Sequence, residues 1–218
     1  MSAKVITIAQ TKGGVGKTTL ALQLAISLAG SGAKVWLIDG DRQRTSQNAL
    51  AVRSMNGVSP AIACAAYDKG SLLREQVLLQ KDNFDFIVID VGGTDSTTLR
   101  ASLAVCDRLI VPVQPRTFDV WALGELDQVI EEVRALRGDF EVFAVLNCAD
   151  AKGSANADAA EAIAQYSYIR LMDASVARRK SIAVSAGNGL CVSEMRPKDA
   201  KAVREIERFV KEASAFLS

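Results

Sequence analysis

A β-branched stretch, KVITIA at residues 4–9, runs through three glycines and straight into KTTLALQLAISLA. No other feature of the 218 residues restricts the fold as much. An apolar strand that ends on Gly13, Gly14 and Gly16 and restarts at once as a helix must turn tightly at the strand's C-terminal end. Glycine accepts left-handed backbone and lets successive N–H groups converge on an anion with no Cβ in the way. The first turn of the helix adds unpaired amides and the positive end of its dipole. Lys17 and Thr18 follow, a cation and a hydroxyl suited to phosphate oxygens and a hard divalent cation. The common phosphate-loop spacing, G-x-x-x-x-G-K-[ST], is not fully kept. Thr11 stands where the first glycine belongs, and a second lysine, Lys12, precedes the glycines.

The remaining chain alternates in the same way. Short apolar runs at 34–39, 85–90, 108–113 and 141–147 read as strands; the run at 85–90 is nearly continuous in apolar residues and so buried on both faces. Longer stretches at 16–29, 45–54, 71–79, 98–104, 118–136 and 156–165 read as helices. Strands alternating with helices predict an α/β fold: a doubly wound, mostly parallel sheet flanked by helices, over one domain spanning 1–218. Ligands in such sheets sit at the C-terminal strand ends. The glycine turn and the acids that close the runs at 34–39 and 85–90 all fall there. A closing helix is expected from Pro197 to Leu217, with Pro197 in its first turn. Ala202, Val203, Ile206, Phe209, Val210, Ala213, Phe216 and Leu217 would form its apolar face.

Composition excludes several chemistries. The chain has no histidine, so histidine general-base catalysis and histidine metal ligation are ruled out. Its four cysteines form no C-x-x-C pair and read as buried reduced thiols of a cytoplasmic protein. No secretory leader or membrane-spanning run is evident, and no membrane association is expected. Net charge is +1, so nucleic-acid binding would need a local patch.

The run Lys12-Gly13-Gly14-Val15-Gly16-Lys17-Thr18-Thr19 resembles the deviant Walker A box of the ParA/MinD family of P-loop ATPases. The resemblance implies ATP and Mg²⁺ as cofactors, with Lys17 on the β- and γ-phosphates, Thr18 on Mg²⁺ and Thr19 at the α-phosphate. It also implies that Lys12 reaches across an ATP-dependent homodimer to the partner's nucleotide. VWLIDGDRQRT resembles the family's D-x-D-P-Q signature through Asp39, Asp41 and Gln43, with Arg42 in the proline's place. By that match Asp41 orients the attacking water and helps the Mg²⁺ shell. FDFIVIDVGG resembles the Walker B strand and second switch: Asp90 would hold Mg²⁺ and the Gly93 amide would meet the γ-phosphate. Glycines stand at 92 and 93 where many members have prolines, which should loosen the switch. Asn147, ending another strand, is a candidate adenine contact.

The resemblance further implies slow ATP hydrolysis, binding to non-specific DNA, and stimulation by a centromere-binding, ParB-like adaptor, in a cytoplasmic, nucleoid-associated protein. With the first strand starting at residue 4, the short type is expected, without an N-terminal helix-turn-helix. Residues 151–218 hold 11 Lys and Arg against 8 Asp and Glu, whereas 1–150 hold 15 against 17. Arg178, Arg179 and Lys180 focus that excess, and Arg170 is a further candidate DNA contact. A MinD-like membrane ATPase or a cargo organiser is the alternative. Acids interleaved with the bases of the last helix make it a poor lipid binder. A ligase or synthetase on the same fold is a third reading, disfavoured by Lys12 and by the short chain.

Overall fold

The computed structural model describes residues 2–93, 96–150 and 154–216, and for residues 117–121 only their helical backbone. Its strands are β1 (Lys4–Ile8), β2 (Val35–Asp39), β3 (Ala63–Ala66), β4 (Phe86–Asp90), β5 (Arg108–Val113), β6 (Glu141–Ala149) and β7 (Arg170–Ala177). They form one sheet in the order β3-β2-β4-β1-β5-β6-β7, every neighbouring pair parallel. The helices are α1 (Lys17–Gly30), α2 (Thr45–Met55), α3 (Gly70–Gln80), α4 (Thr97–Val105), α5 (Thr117–Arg137), α6 (Ala155–Ile163), α7 (Lys180–Gly187) and α8 (Ala200–Ser214).

Side chains alternate across a strand, so one strand supplies two cores. Ile87 and Ile89 of β4 pack with Leu73 of α3, Leu99 of α4 and Ile130 of α5. Val88 between them faces the other way, onto Leu24 of α1, Leu50 of α2 and Phe209 of α8. Helices on both faces explain why the central strands read as unbroken apolar runs. β1 lies at the centre, with β4 on one side and β5 on the other. The chain winds outward from β1 in both directions, so the crevice at its C-terminal end is the topological switch point.

Three elements were not legible in sequence. β3, with the sequence ACAA, carries no β-branched residue and pairs along one side only, at the sheet's edge. β7 is the opposite edge and alternates buried with exposed residues, and α7 is a single short helix beyond it. The closing helix also differs from expectation. It begins at Ala200, and Pro197 lies outside it. Asp199 sets the start, because its Oδ1 accepts from the amides of Lys201 and Ala202, donors a helix cannot pair internally. Ala202, Ile206, Phe209 and Ala213 are buried, and Val203 and Val210 are half-buried. Leu217 lies outside the described residues. Of the cysteines, Cys106 and Cys191 are buried, but Cys64 and Cys148 are only half-buried, a correction to the expectation of four buried thiols.

Candidate functional site

The glycine turn joins β1 to α1. Gly14 and Gly16 hold φ angles of 77° and 94°, the left-handed region that β-carbons disfavour. Gly16 precedes α1 with no side-chain cap, and no acid lies in that helix's first turn. The amides of Lys17, Thr18 and Thr19 are therefore not neutralised from within the helix. Two buried side-chain amides brace the turn from behind. Asn147 Nδ2 donates to the Val15 carbonyl at 2.6 Å, and Gln114 Nε2 to the Gly14 carbonyl at 2.9 Å. A β-carbon on Gly16 would run into the Asn147 amide. Asn147, the candidate adenine contact, thus spends one of its two amide hydrogens on the loop. Gln114 is a loop-bracing residue that sequence reasoning missed; its signal was a lone amide closing an apolar strand.

Lys17 is buried, and its Nζ donates to the Lys12 carbonyl at 2.8 Å. Burial lowers its pKa, while the charges of Asp90 and Asp41 push it back up. The loop after β4 closes on this ammonium. A β-carbon on Gly93 would lie 3.3 Å from Lys17 Nζ and from the backbone of Gly13. One on Gly92 would lie 3.3 Å from the Asp41 carboxylate. The two glycines standing in place of prolines thus fit a passage with almost no room. A crevice of about 520 Å³ opens between the loops after β2 and β4, lined by Asp41, Arg42, Gln43, Gly92 and Gly93 among others.

The three acids divide their work. Asp39 and Asp90 end adjacent strands in register. Asp39 is fully buried and accepts from the amides of Asp41 and Gln47, at 3.0 and 2.9 Å, so it staples the loop that carries Asp41. Asp41 is half-buried and accepts from the Gln43 amide at 3.0 Å. Arg42, in the proline's place, is exposed, and the turn is completed by Arg44 at φ 51°. Burial pushes Asp90 up to about 7, while the hydroxyls of Ser46 and Thr18 and the charge of Lys17 act against that rise. Ser46 Oγ donates to Asp90 Oδ2 at 2.6 Å, whereas Oδ1 is buried with no hydrogen-bond partner among the described residues.

That orphaned oxygen beside Thr18 fits a magnesium ion. Mg²⁺ takes oxygen ligands, keeps several waters and needs only one or two protein groups when phosphates supply the rest. Among the described residues no cluster of three or more acids or cysteines offers an alternative metal site.

The basic residues do not form one patch. Arg170 starts β7 and Arg178 follows its end, so the eight-residue strand separates them by roughly 25 Å at about 3.3 Å per residue. Arg170 pairs with Glu141 and lies over the Phe143 ring at the end of the sheet away from the glycine loop. It stands apart from the other three. Arg179 forms a two-pronged pair with Glu205, at 2.9 and 2.7 Å. Arg178 and Lys180 are exposed. Beside them α8 exposes Lys201, Arg204, Arg208 and Lys211 on its outer side. Its interleaved acids Glu205 and Glu212 turn inward to β7, where Glu205 meets the Ala177 amide and Glu212 those of Asp173 and Ala174; Glu207 alone of the three stays exposed. Among the described residues no helix is long and apolar enough to cross a membrane.

Residues 6–192 match the model of the CobQ/CobB/MinD/ParA nucleotide binding domain. The chain belongs to that family. Within it, the chain is 25% identical over 211 residues, 96% of each chain, to the maintenance of carboxysome distribution protein A of Halothiobacillus neapolitanus. It is 30% identical over 164 residues to the chromosome-partitioning ATPase Soj of Thermus thermophilus, covering 62% of this chain and 65% of that one. Among solved structures, apo McdA of Cyanothece superposes with a TM-score of 0.77 at 19% identity, covering 98% of this chain and 100% of the other. That neighbour has also been solved as an ATP complex. Cobyrinic acid a,c-diamide synthase of Mycobacterium smegmatis, at a TM-score of 0.71 and 19% identity over 85% of this chain and 91% of that one, was solved with an ATP analogue and magnesium. The family's fold is therefore that of a P-loop nucleotide-binding ATPase.

Proposed function

We propose that this chain is a ParA-type partition ATPase: a Mg²⁺-dependent ATPase whose ATP-bound homodimer binds DNA non-specifically and whose slow hydrolysis is stimulated by a centromere-binding adaptor. The observation that carries this reading is the convergence of Lys17, Gly93 and Asp41 beside a glycine turn preceded by Lys12. Phosphate seated in the turn would meet the uncapped amides of α1 and the Lys17 ammonium, and the Gly93 backbone is placed to feel its terminal oxygens. Asp41 lies across the loop to orient water. Thr18 and Asp90, with Asp41 close by, would hold Mg²⁺, which neutralises charge on the β- and γ-phosphates. Lys12 carries its charge to the partner's nucleotide, acting as an arginine finger does in trans.

DNA is assigned to Arg178, Lys180 and the outer face of α8. The test is binding to random duplex DNA with ATP and Mg²⁺, beside ADP and no nucleotide, at two salt concentrations. ATP-dependent, salt-sensitive binding supports the reading. An ATP-dependent dimer with no DNA affinity removes it.

A second reading is a positioning ATPase for a protein cargo, favoured by the end-to-end similarity to a carboxysome-distribution protein. The two part on which partner accelerates hydrolysis: a protein that binds a DNA site, or a protein that coats a cargo.

A further inference from the structure

α2 carries more than the loop before it. Ser46, its second residue, is fully buried, and its hydroxyl is aimed at Asp90 rather than at its own helix. Asp90 presents two oxygens at the end of β4. Oδ2 accepts from Ser46 at 2.6 Å, and Oδ1 is buried without a partner among the described residues. A carboxylate free to turn about its last bond would exchange the two. The Ser46 hydroxyl on one oxygen removes that freedom and leaves the other, on the side of the Thr18 hydroxyl, for a ligand. The helix holding Ser46 is itself clipped to β2, because the Gln47 amide donates to Asp39 Oδ2 while Asp39 Oδ1 takes the Asp41 amide.

We infer that Ser46 is a positioning residue for magnesium: it fixes the Asp90 carboxylate with one oxygen turned to the cation and ties that carboxylate to the helix and loop that carry Asp41. This rests on the ATPase reading above. Groups that orient a metal's ligands change metal affinity by about 10–100-fold when removed. The hydroxyl is spent on Asp90, so nucleotide affinity without metal is expected to be independent of it.

The experiment is a magnesium titration of the full chain with a fluorescent ATP analogue, beside the same binding in EDTA and a thermal melt. Ser46→Ala is expected to raise the Mg²⁺ concentration for half-maximal tightening by about tenfold or more, with affinity in EDTA unchanged. Ser46→Thr, which keeps the hydroxyl, is expected to restore most of it. An unchanged magnesium midpoint in Ser46→Ala overturns the inference. So does an equal loss of affinity with and without magnesium, the mark of a merely structural residue. A wild-type chain that binds nucleotide with no magnesium dependence overturns the ATPase reading itself, and the inference with it.

Discussion

The carboxyl of Asp90 couples stability to pH. Burial raises it to about 7 in the folded chain, against about 4 for an exposed aspartate. The folded state therefore binds this proton more tightly than the unfolded one. The resulting stabilisation is complete below about pH 4 and is lost as pH rises to about 7. Asp39, also raised by burial, adds in the same direction. In EDTA, without nucleotide, the melting temperature is expected to fall between about pH 5 and pH 8, and Asp90→Asn to flatten that slope. A wild-type melting temperature that climbs across this window would contradict the assignment. Gly16 supplies a second test. Alanine there meets both a positive φ and the Asn147 amide. A non-glycine residue in that backbone costs about 1–3 kcal/mol. Gly16→Ala should lower stability to urea by at least that much and abolish nucleotide binding, whereas adding Asn147→Ala should recover part of the stability and none of the binding.

α8 shows how an element that looks like a surface helix governs a sheet edge. Glu212 accepts from the amides of Asp173 and Ala174, and Glu205 from that of Ala177, so its carboxylates cover donors that edge strand β7 would otherwise expose. At the helix's C-terminal end Arg108 of β5, buried, donates to the carbonyls of Glu212, Ala213 and Ala215 and pairs with Glu141. Its guanidinium sits 4.1 Å from the Phe216 ring centre and 4.9 Å from that of Phe143. Removing Arg108 takes the donor from three carbonyls at once, at about 1–3 kcal/mol for each that stays buried, while Glu141 is part-exposed and keeps Arg170. Arg108→Met should approach that loss in denaturant unfolding and speed hydrogen exchange along α8 first. Glu212→Ala should lose less, about 1–3 kcal/mol for amides left without acceptors, with faster exchange at Asp173 and Ala174. The apolar face of α8 was legible from helical spacing. Its acid partners were not, because spacing marks the helix face of Glu205 and Glu212 but not the strand beside it.

Across the whole molecule, the glycine turn and the exposed bases Arg178 and Lys180 both lie toward the C-terminal strand ends, and α8 carries further bases back along the sheet. Replacing Arg204 and Arg208 together by alanine should weaken duplex binding alike for all sequences and reduce the salt slope of the dimer by about 4, one for each arginine removed, with ATP-dependent dimerisation intact. An unchanged salt slope would move the DNA surface away from α8. Lys12→Ala should still bind ATP yet fail to dimerise in analytical ultracentrifugation; a stable ATP-dependent dimer of that variant would refute a role in trans. Arg170 stands at the far end of β7, where it is paired with Glu141. Arg170→Ala should therefore weaken duplex binding less than the loss of Arg204 and Arg208.

Residue types and their local order were enough to mark the turn between β1 and α1, the acids at 39, 41 and 90, and the alternation that makes a parallel sheet. Those features are written in neighbouring residues, because backbone conformation and burial period are local quantities. Which side chain meets which was settled by folding alone. Gln114 reaches the Gly14 carbonyl across 100 residues of chain, and Asn147 reaches that of Val15 across 132. Ser46 finds Asp90, and Glu205 withdraws Arg179 from the exposed bases. Such contacts bind groups remote in sequence and leave no periodic trace in it. They form only when strand order brings the strand ends together, and buried polar groups then take the partners within reach.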